Sequence, residues 1–548
     1  MDSKSSQAVP APQKPAPAVP PTRAHGPSSG WSHFLIPSVT DLIFAVLLIS
    51  LTYGVLSRRL LGDADIGWHI RNGQQIASTY TLPRTDSFSS TMAGKPWYAW
   101  EWLYDWSMGL IHNRAGLNGV VFLTALVIAF TFTLFFRMQL TRGANLPIAV
   151  LLLLLAASAS TIHFLARPHV ISWLLTLIWF HLLDSAETST RLGEARKLYW
   201  LPFLMLLWVN LHGGFIMGFV LLGIYLLAAA IEHVANGDSE VRTSAGKRVK
   251  ILGSVGVLCL LASLVNPYGY KLHFHVYSYL SNRFLMDHIE EFHSPNFHGV
   301  AERCFAVLVL IAIFSVAVSM RRLRQSHLLL LMFAVYSGLY ASRNIPIASI
   351  LITLVIAPLL SSWFDDLADR PERSTGLRRL TSGLRSFTGR MCQMESMLRG
   401  HLVPSVVVVF SLWVCLHNGR LGSRELMHAE FDATRFPVRA VDLLTQRQVG
   451  EPVFSPDSWG GFLIYRMYPR TKVIVDDRHD FYGESFLKNY LKVIHVQPGW
   501  DKILEGWKVN WVVLPAGSAL SSTLKEVPRW KILHDDGVAI VFQRAGLE

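Results

Sequence analysis

Charge is scarce in this chain. Only 16% of its 548 residues are Asp, Glu, Lys or Arg, against about 25% in a typical soluble globular protein. Cysteine is scarcer still. Cys259, Cys304, Cys392 and Cys415 are the full set, and they fall in apolar segments or in a basic loop. The polar C-terminal stretch holds none, which excludes a disulfide framework there. No Walker loop, dinucleotide-binding fingerprint or zinc-ligand spacing occurs. The glycine pairs Gly213–Gly214 and Gly460–Gly461 are too small a signal for nucleotide binding. No internal repeat is evident. No short apolar core with a small-residue cleavage site marks a signal peptide, so the first span is expected to act as an uncleaved anchor.

What is present is apolar. Hydrophobic residues make up 51% of the chain and the mean hydropathy is +0.33. This composition predicts a polytopic membrane protein. A span needs roughly 20 mostly apolar residues. Eleven segments qualify as candidates: about 38–57, 117–136, 145–164, 168–185, 199–212, 214–234, 250–267, 301–320, 326–342, 345–362 and 401–417. The fifth and ninth are short, but their flanks, NLHGGF and SRNIP, read as turns between two spans.

The net charge of +12 reads as membrane orientation rather than nucleic-acid binding. With the N-terminal tail placed in the cytoplasm, the loops on that side hold 19 basic residues, or 22 with the tail. The other side has six between Arg58 and Arg114, then Arg167, Lys271, Arg283 and Arg343. This asymmetry follows the positive-inside rule. The expected organisation is a disordered cytoplasmic tail over 1–30, a transmembrane α-helical domain over 31–419 with an outer loop at 58–116, and an extracytoplasmic α/β domain over 420–548. In that last region KVIVDDR and WVVLP read as strands, SFLKNYLKVI and GWDKILEGW as helices, and WKILHDDGVAIVFQR as two strands about an Asp-Gly turn.

With this topology the unusual polar residues collect on the outer side. Asp63, Asp65, His69, Arg71, Asp86 and Glu101 lie in the first outer loop. Arg167 and His169 lie in LARPH, and Asn210 and His212 in WVNLHGG. Glu290 and Glu291 lie in DHIEEFHSPNFHG, and Arg343 and Asn344 at the last outer turn. Ionisable residues at span ends are functional candidates. Plainer readings stand beside this one. Arg58, Arg59 and Arg114 serve as interfacial anchors. Read as a helix, KPWYAWEWLYDW puts Trp97, Trp100 and Tyr104 on one face, as an interfacial belt or a sugar- or lipid-binding platform. His212 beside two glycines fits a tight turn. Arg71 offers structural compensation for Asp63 and Asp65. In VIVDDRHD, Asp476, Asp477 and Arg478 are expected to cap and orient the following segment, the alternative being an acceptor contact facing the spans.

A carboxylate can take a proton from a hydroxyl or hold a divalent metal through oxygen. An arginine can grip a phosphate with two parallel hydrogen bonds. Both suit transfer of a sugar from a donor whose lipid tail stays in the bilayer. The chain resembles the GT-C superfamily of membrane glycosyltransferases, which use lipid-linked sugar donors. DIGWHIR, Asp65 to Arg71, is similar to the Asp-x-x-aromatic-x-x-Arg pattern after the first span of oligosaccharyltransferase catalytic subunits. The longer run with LPRTDSFSSTMAGKPW resembles a bacterial GT-C-like group.

The resemblance implies a catalytic role for Asp65, with Asp63 in reserve, and a polyprenyl-phosphate sugar as donor. It implies a multi-pass protein of the bacterial cytoplasmic membrane acting on a glycan, lipid or protein acceptor. Arg71, Arg167 and Arg343 are then candidates for the donor phosphate. Trp68 and His69 would line the cavity or orient the acid. Glu101, His169, Asn210, His212, Glu290, Glu291 and Asn344 complete the candidate pocket. A divalent ion, Mg or Mn, would rest on Asp65 and Asp63; the second outer loop, IHFLARPH, departs from the family in having no acidic pair, which counts against metal dependence. SWGGFLIY, Ser458 to Tyr465, lacks the Asp and Tyr of the Trp-Trp-Asp-Tyr-Gly motif with which oligosaccharyltransferases read an acceptor peptide, so transfer to an Asn sequon is not expected. Two further classes stay open. One is a non-catalytic assembly or export component that binds a partner through its outer domain. The other is a transporter, which would place its ionisable groups near the bilayer midplane.

Overall fold

The computed structural model describes residues 35–54, 56–188, 196–369, 375–398 and 400–546. The tail expected over 1–30 lies outside them. Each of the eleven apolar segments falls on a helix, as hydrocarbon demands of a backbone that must satisfy its own polar groups. Six helices among the described residues are long and apolar enough to cross a membrane, and Val39–Thr52, Leu198–Leu211 and Leu402–Leu416 are shorter apolar helices. The first begins at Ser38, whose side chain and that of Asp41 form a reciprocal capping box, satisfying two otherwise unpaired amides.

The loop between the first two apolar segments carries its own structure. A helix runs over Asp65–Thr79. The next helix, Trp102–Thr141, is broken at Gly116, where φ is 58°. Only glycine takes this conformation at low cost. The break separates a loop-side piece from the apolar piece that follows.

The aromatic run departs from the expected helix. Its first residues are irregular and the helix starts at Trp102. The cause lies in the backbone. Asp86 N–H donates to Lys95 and Trp97 N–H donates to Arg84, so this stretch pairs sideways with the preceding strand-like segment. Trp97 turns inward, 4% exposed. Tyr98 stacks on His275 instead.

The C-terminal region opens with a small hairpin, β1 (Arg420–Leu421) and β2 (Arg424–Glu425). Four further strands, β3 (Val453–Phe454), β4 (Trp511–Pro515), β5 (Trp530–Asp535) and β6 (Ala539–Arg544), form one sheet in the order β3-β4-β6-β5. β3 and β4 are parallel and the other pairs antiparallel. KVIVDDR, expected as a strand, makes only single bridges, from Val473 to Ser89 and to Val453. Its backbone is taken up by the first loop: Val473 N–H donates to Phe88, and Ser90 N–H donates to Val473. Trp68, Phe88 and Trp97 of the loop share one apolar core with Trp459, Phe462 and Val473. The first loop and the C-terminal region are thus packed as one body.

Candidate functional site

Asp65 is the first residue of its helix, and Asp63 Oδ1 accepts a hydrogen bond from its backbone N–H at 3.1 Å. An acidic residue here is favoured by the helix dipole. Arg167, from LARPH, reaches both carboxylates. Its guanidinium lies 2.9 Å from Asp63 Oδ2, 2.9 Å from Asp65 Oδ2 and 2.5 Å from Glu291 Oε1. One positive charge therefore serves three carboxylates. Burial opposes that charge, but Glu291 and Asp63 outweigh it and hold the guanidinium above its ordinary pKa. Burial likewise opposes the Glu291 carboxylate, yet Arg167 and Arg343 keep it below the usual range.

Asp477 joins the group from the far end of the chain. One oxygen from each of Asp63, Asp65 and Asp477 lies within 4.8 Å of the others. Asp65 Oδ1 and Asp477 Oδ1 are buried with no hydrogen-bond partner. Burial, and after it the charge of Asp63, pushes the Asp477 carboxyl up to about 7. Its neighbours do something else. Asp476 accepts from Arg478 Nε at 2.7 Å, and Arg478 also donates to Asp86 at 2.8 Å. Arg478 is enclosed by Trp97, Phe481, Phe88 and Trp68. Asp476 and Arg478 thus take the orienting role expected of them, while Asp477 faces the first loop.

A second chain of polar groups runs behind Asp65. His69 Nδ1 lies 2.5 Å from Asp105 Oδ1, and Asn72 donates to the other oxygen of Asp105. Trp68 stacks on the His69 ring, with centroids 3.6 Å apart. His69 Nε2 is 3.9 Å from Glu101 Oε2, and His212 Nε2 is 3.6 Å from Glu101 Oε1. Gly214 N–H donates to His212 Nδ1, and Ser172 Oγ lies 2.7 Å from the same nitrogen. That nitrogen is an acceptor, so the neutral ring carries its proton on Nε2, toward Glu101. Burial, followed by Arg343 and Arg167, lowers His212 to about 3. Burial and then Asp105 raise Glu101 well above the ordinary carboxyl range.

The other expected residues are distributed as follows. Arg343 lies over the Phe292 ring at 4.4 Å and acts through its charge on Glu291 and His212. Arg71 is not brought to the cluster. It donates twice to the Tyr465 carbonyl, with Nε at 2.9 Å, and once to Gln74. This side of the helix faces SWGGFLIY, so Arg71 braces that contact. Asn210 accepts from Trp102 and donates to the carbonyls of Leu206 and Val265. Asn344 donates to Ser337, and His169 Nε2 lies 2.8 Å from the His163 carbonyl. Both hold turns. Glu290 is exposed. Sequence reasoning passed over Asp105 and Ser172. Asp105 comes under His69 where the two helices close on each other through Gly73 and Gly109, and no local pattern announces it.

No protein-family model matches the chain, and no curated protein sequence does. Solved structures do. An archaeal oligosaccharyltransferase from Archaeoglobus fulgidus, in the apo form, superposes with a TM-score of 0.53 over 88% of this chain and 70% of its own, at 11% identity. The oligosaccharyltransferase AglB from the same organism, in complex with an inhibitory peptide and a dolichol-phosphate, gives 0.54 over 93% and 74%, at 11% identity. ArnT from Cupriavidus metallidurans gives 0.51 over 91% and 97%, at 14% identity. The chain shares its fold with these structures, as the GT-C resemblance in its sequence leads one to expect.

Proposed function

We propose that this protein transfers a sugar from a polyprenyl-phosphate-linked donor to an acceptor of the cell envelope, at the outer face of a bacterial cytoplasmic membrane. Eleven spans, a cytoplasmic tail and an extracytoplasmic C-terminal α/β domain complete this reading. The observation that carries it is Arg167 held among Asp63, Asp65 and Glu291, beside a buried Asp65 oxygen that has no donor.

In such a transfer the acceptor oxygen forms a bond to the anomeric carbon and its proton passes to Asp65. The bond from that carbon to the phosphate oxygen breaks, and its electron pair stays on the phosphate. Arg343 has no carboxylate pair among the described contacts and offers the positive charge that the departing phosphate needs. The bare Asp65 oxygen and the all-oxygen set with Asp63 also fit a divalent ion such as Mg or Mn, whose chemistry would be to orient donor and phosphate. That one structural neighbour was determined with dolichol-phosphate supports a lipid phosphate as donor.

Deletion of the gene tests this reading. Mass spectrometry of envelope glycans and polyprenyl-phosphate sugars should show a lost decoration and an accumulated donor. Unchanged glycans and donors would favour a non-catalytic partner-binding role.

A further inference from the structure

We infer that the C-terminal region supplies a ligand to the site: Asp477, with Asp63 and Asp65, forms a divalent-cation site assembled only when that region is docked on the first loop. The inference deepens the reading above and rests on it for its biological use. Its physical content stands on three observations.

The first is size. Ligand oxygens sit 2.0–2.6 Å from Mg, Mn or Ca ions, so oxygens up to roughly 4–5 Å apart can share one. The three carboxylates meet this with one oxygen each, all within 4.8 Å of one another. A set made only of carboxylate oxygens selects hard cations over zinc or copper.

The second is the unpartnered oxygen. Asp65 is 6% exposed, and its Oδ1 has no donor, as is also true of Asp477 Oδ1. Burying a carboxylate oxygen without a partner is costly. Arg167 does not remove the surplus, because its single charge is already divided among Asp63, Asp65 and Glu291. A divalent ion would supply both the missing contacts and the missing charge.

The third is how the two halves are held. The helix Asp457–Met467 lies between them, with one glycine against each. A Cβ on Gly461 would overlap the Ala64 carbonyl and crowd the Asp65 nitrogen. A Cβ on Gly460 would overlap the Val475 carbonyl and the Asp476 backbone. The Gly-Gly pair of SWGGFLIY thus lets both backbones close on one helix and sets the distance from Asp65 to Asp477. Bridges from Val473 to Ser89 secure the same approach.

The test is Mn(II) binding to the purified full-length protein in detergent, followed by the electron paramagnetic resonance signal of free Mn(II). Wild type should bind one ion per chain. Asp477→Asn and Asp65→Asn should each weaken binding by about tenfold or more, since even partners one step removed from a metal typically matter 10–100-fold. Asp501→Asn, a half-exposed partner of Arg529 outside the cluster, should bind as wild type. Size-exclusion profiles report folding, and Asp477→Ser repeats the test should the Asn variant aggregate. Absence of a stoichiometric ion in wild type, or wild-type affinity in folded Asp477 variants, overturns the inference. No sugar donor enters the measurement. Binding without transfer would therefore overturn the proposed function alone, and transfer without binding would overturn the cation site alone.

Discussion

Two clusters of carboxylates and arginines sit at opposite ends of the helix His169–Thr188, roughly 25 Å apart by its rise per residue. At one end Asp184 Oδ1 receives Arg324 and His327, each at 2.7 Å, and the Tyr225 hydroxyl, while Oδ2 receives Arg142. Glu187 beside it receives Arg324 and Ser326. Both carboxylates are provided for, by donors from several helices, and the cluster is a staple. At the other end Arg167 serves three carboxylates alone, and oxygens of Asp65 and Asp477 stay bare. Residue types are nearly the same in the two places. What differs is the ratio of donors to acceptors, and a deficit of donors marks a site kept for something other than stability.

The largest expected effect falls on the staple. Asp184→Ala removes a 6%-exposed carboxylate, strands Arg142 and His327, and leaves Arg324 on Glu187 alone. Breaking a buried pair typically costs about 3–5 kcal/mol. Thermal unfolding in detergent should show a large loss of stability or failure to accumulate. Normal stability with lost transfer would reverse the comparison.

A middle effect is expected at Arg71. The sequence pattern marks it for the donor phosphate, yet it donates to Tyr465 and Gln74. Arg71→Lys should cost about 1.5–3 kcal/mol in stability, the range for hydrogen bonds to a charged group, with little change in turnover. A selective loss of turnover would return Arg71 to the reactive end.

The smallest effect concerns acid. Arg167 and Arg343 hold Glu291 below its ordinary value although burial opposes this. A lowered folded-state value means that the contribution is complete above about pH 4.3, the unperturbed value, and is lost as pH falls through the lowered one. Glu291→Gln should flatten the acid limb of a stability profile, and an unchanged limb would show that Glu291 carries none of it.

These contrasts also mark how far sequence alone reaches. The apolar segments were legible as helices because such a run has one cheap backbone state in hydrocarbon, although only six of the described helices are long and apolar enough to cross a membrane. DIGWHIR singled out Asp65 by its likeness to a known pattern, and WVVLP and the Asp-Gly hairpin were legible as a short apolar run and through turn chemistry. Asp477 was not, because its partner Asp65 lies at the other end of the chain and only the approach through Gly460 and Gly461 joins them. Arg71 was assigned by spacing, but a helix turns its residues to different sides, and Arg71 follows the side that meets Tyr465. The aromatic run shows the same limit: an amphipathic pattern yields when its backbone finds a neighbour to pair with.

The most direct measurement compares Asp65→Asn with Asp63→Asn in one assay that follows consumption of a polyprenyl-phosphate sugar. Asparagine keeps the shape but cannot take a proton and binds cations poorly. Asp65→Asn should lose about 10²–10⁴-fold in rate, the usual worth of general-base assistance, while the protein accumulates and unfolds as wild type. Asp63→Asn should lose less. Full activity in both single variants and in the double variant would contradict the carboxylate mechanism and leave this end of the bundle as a binding surface.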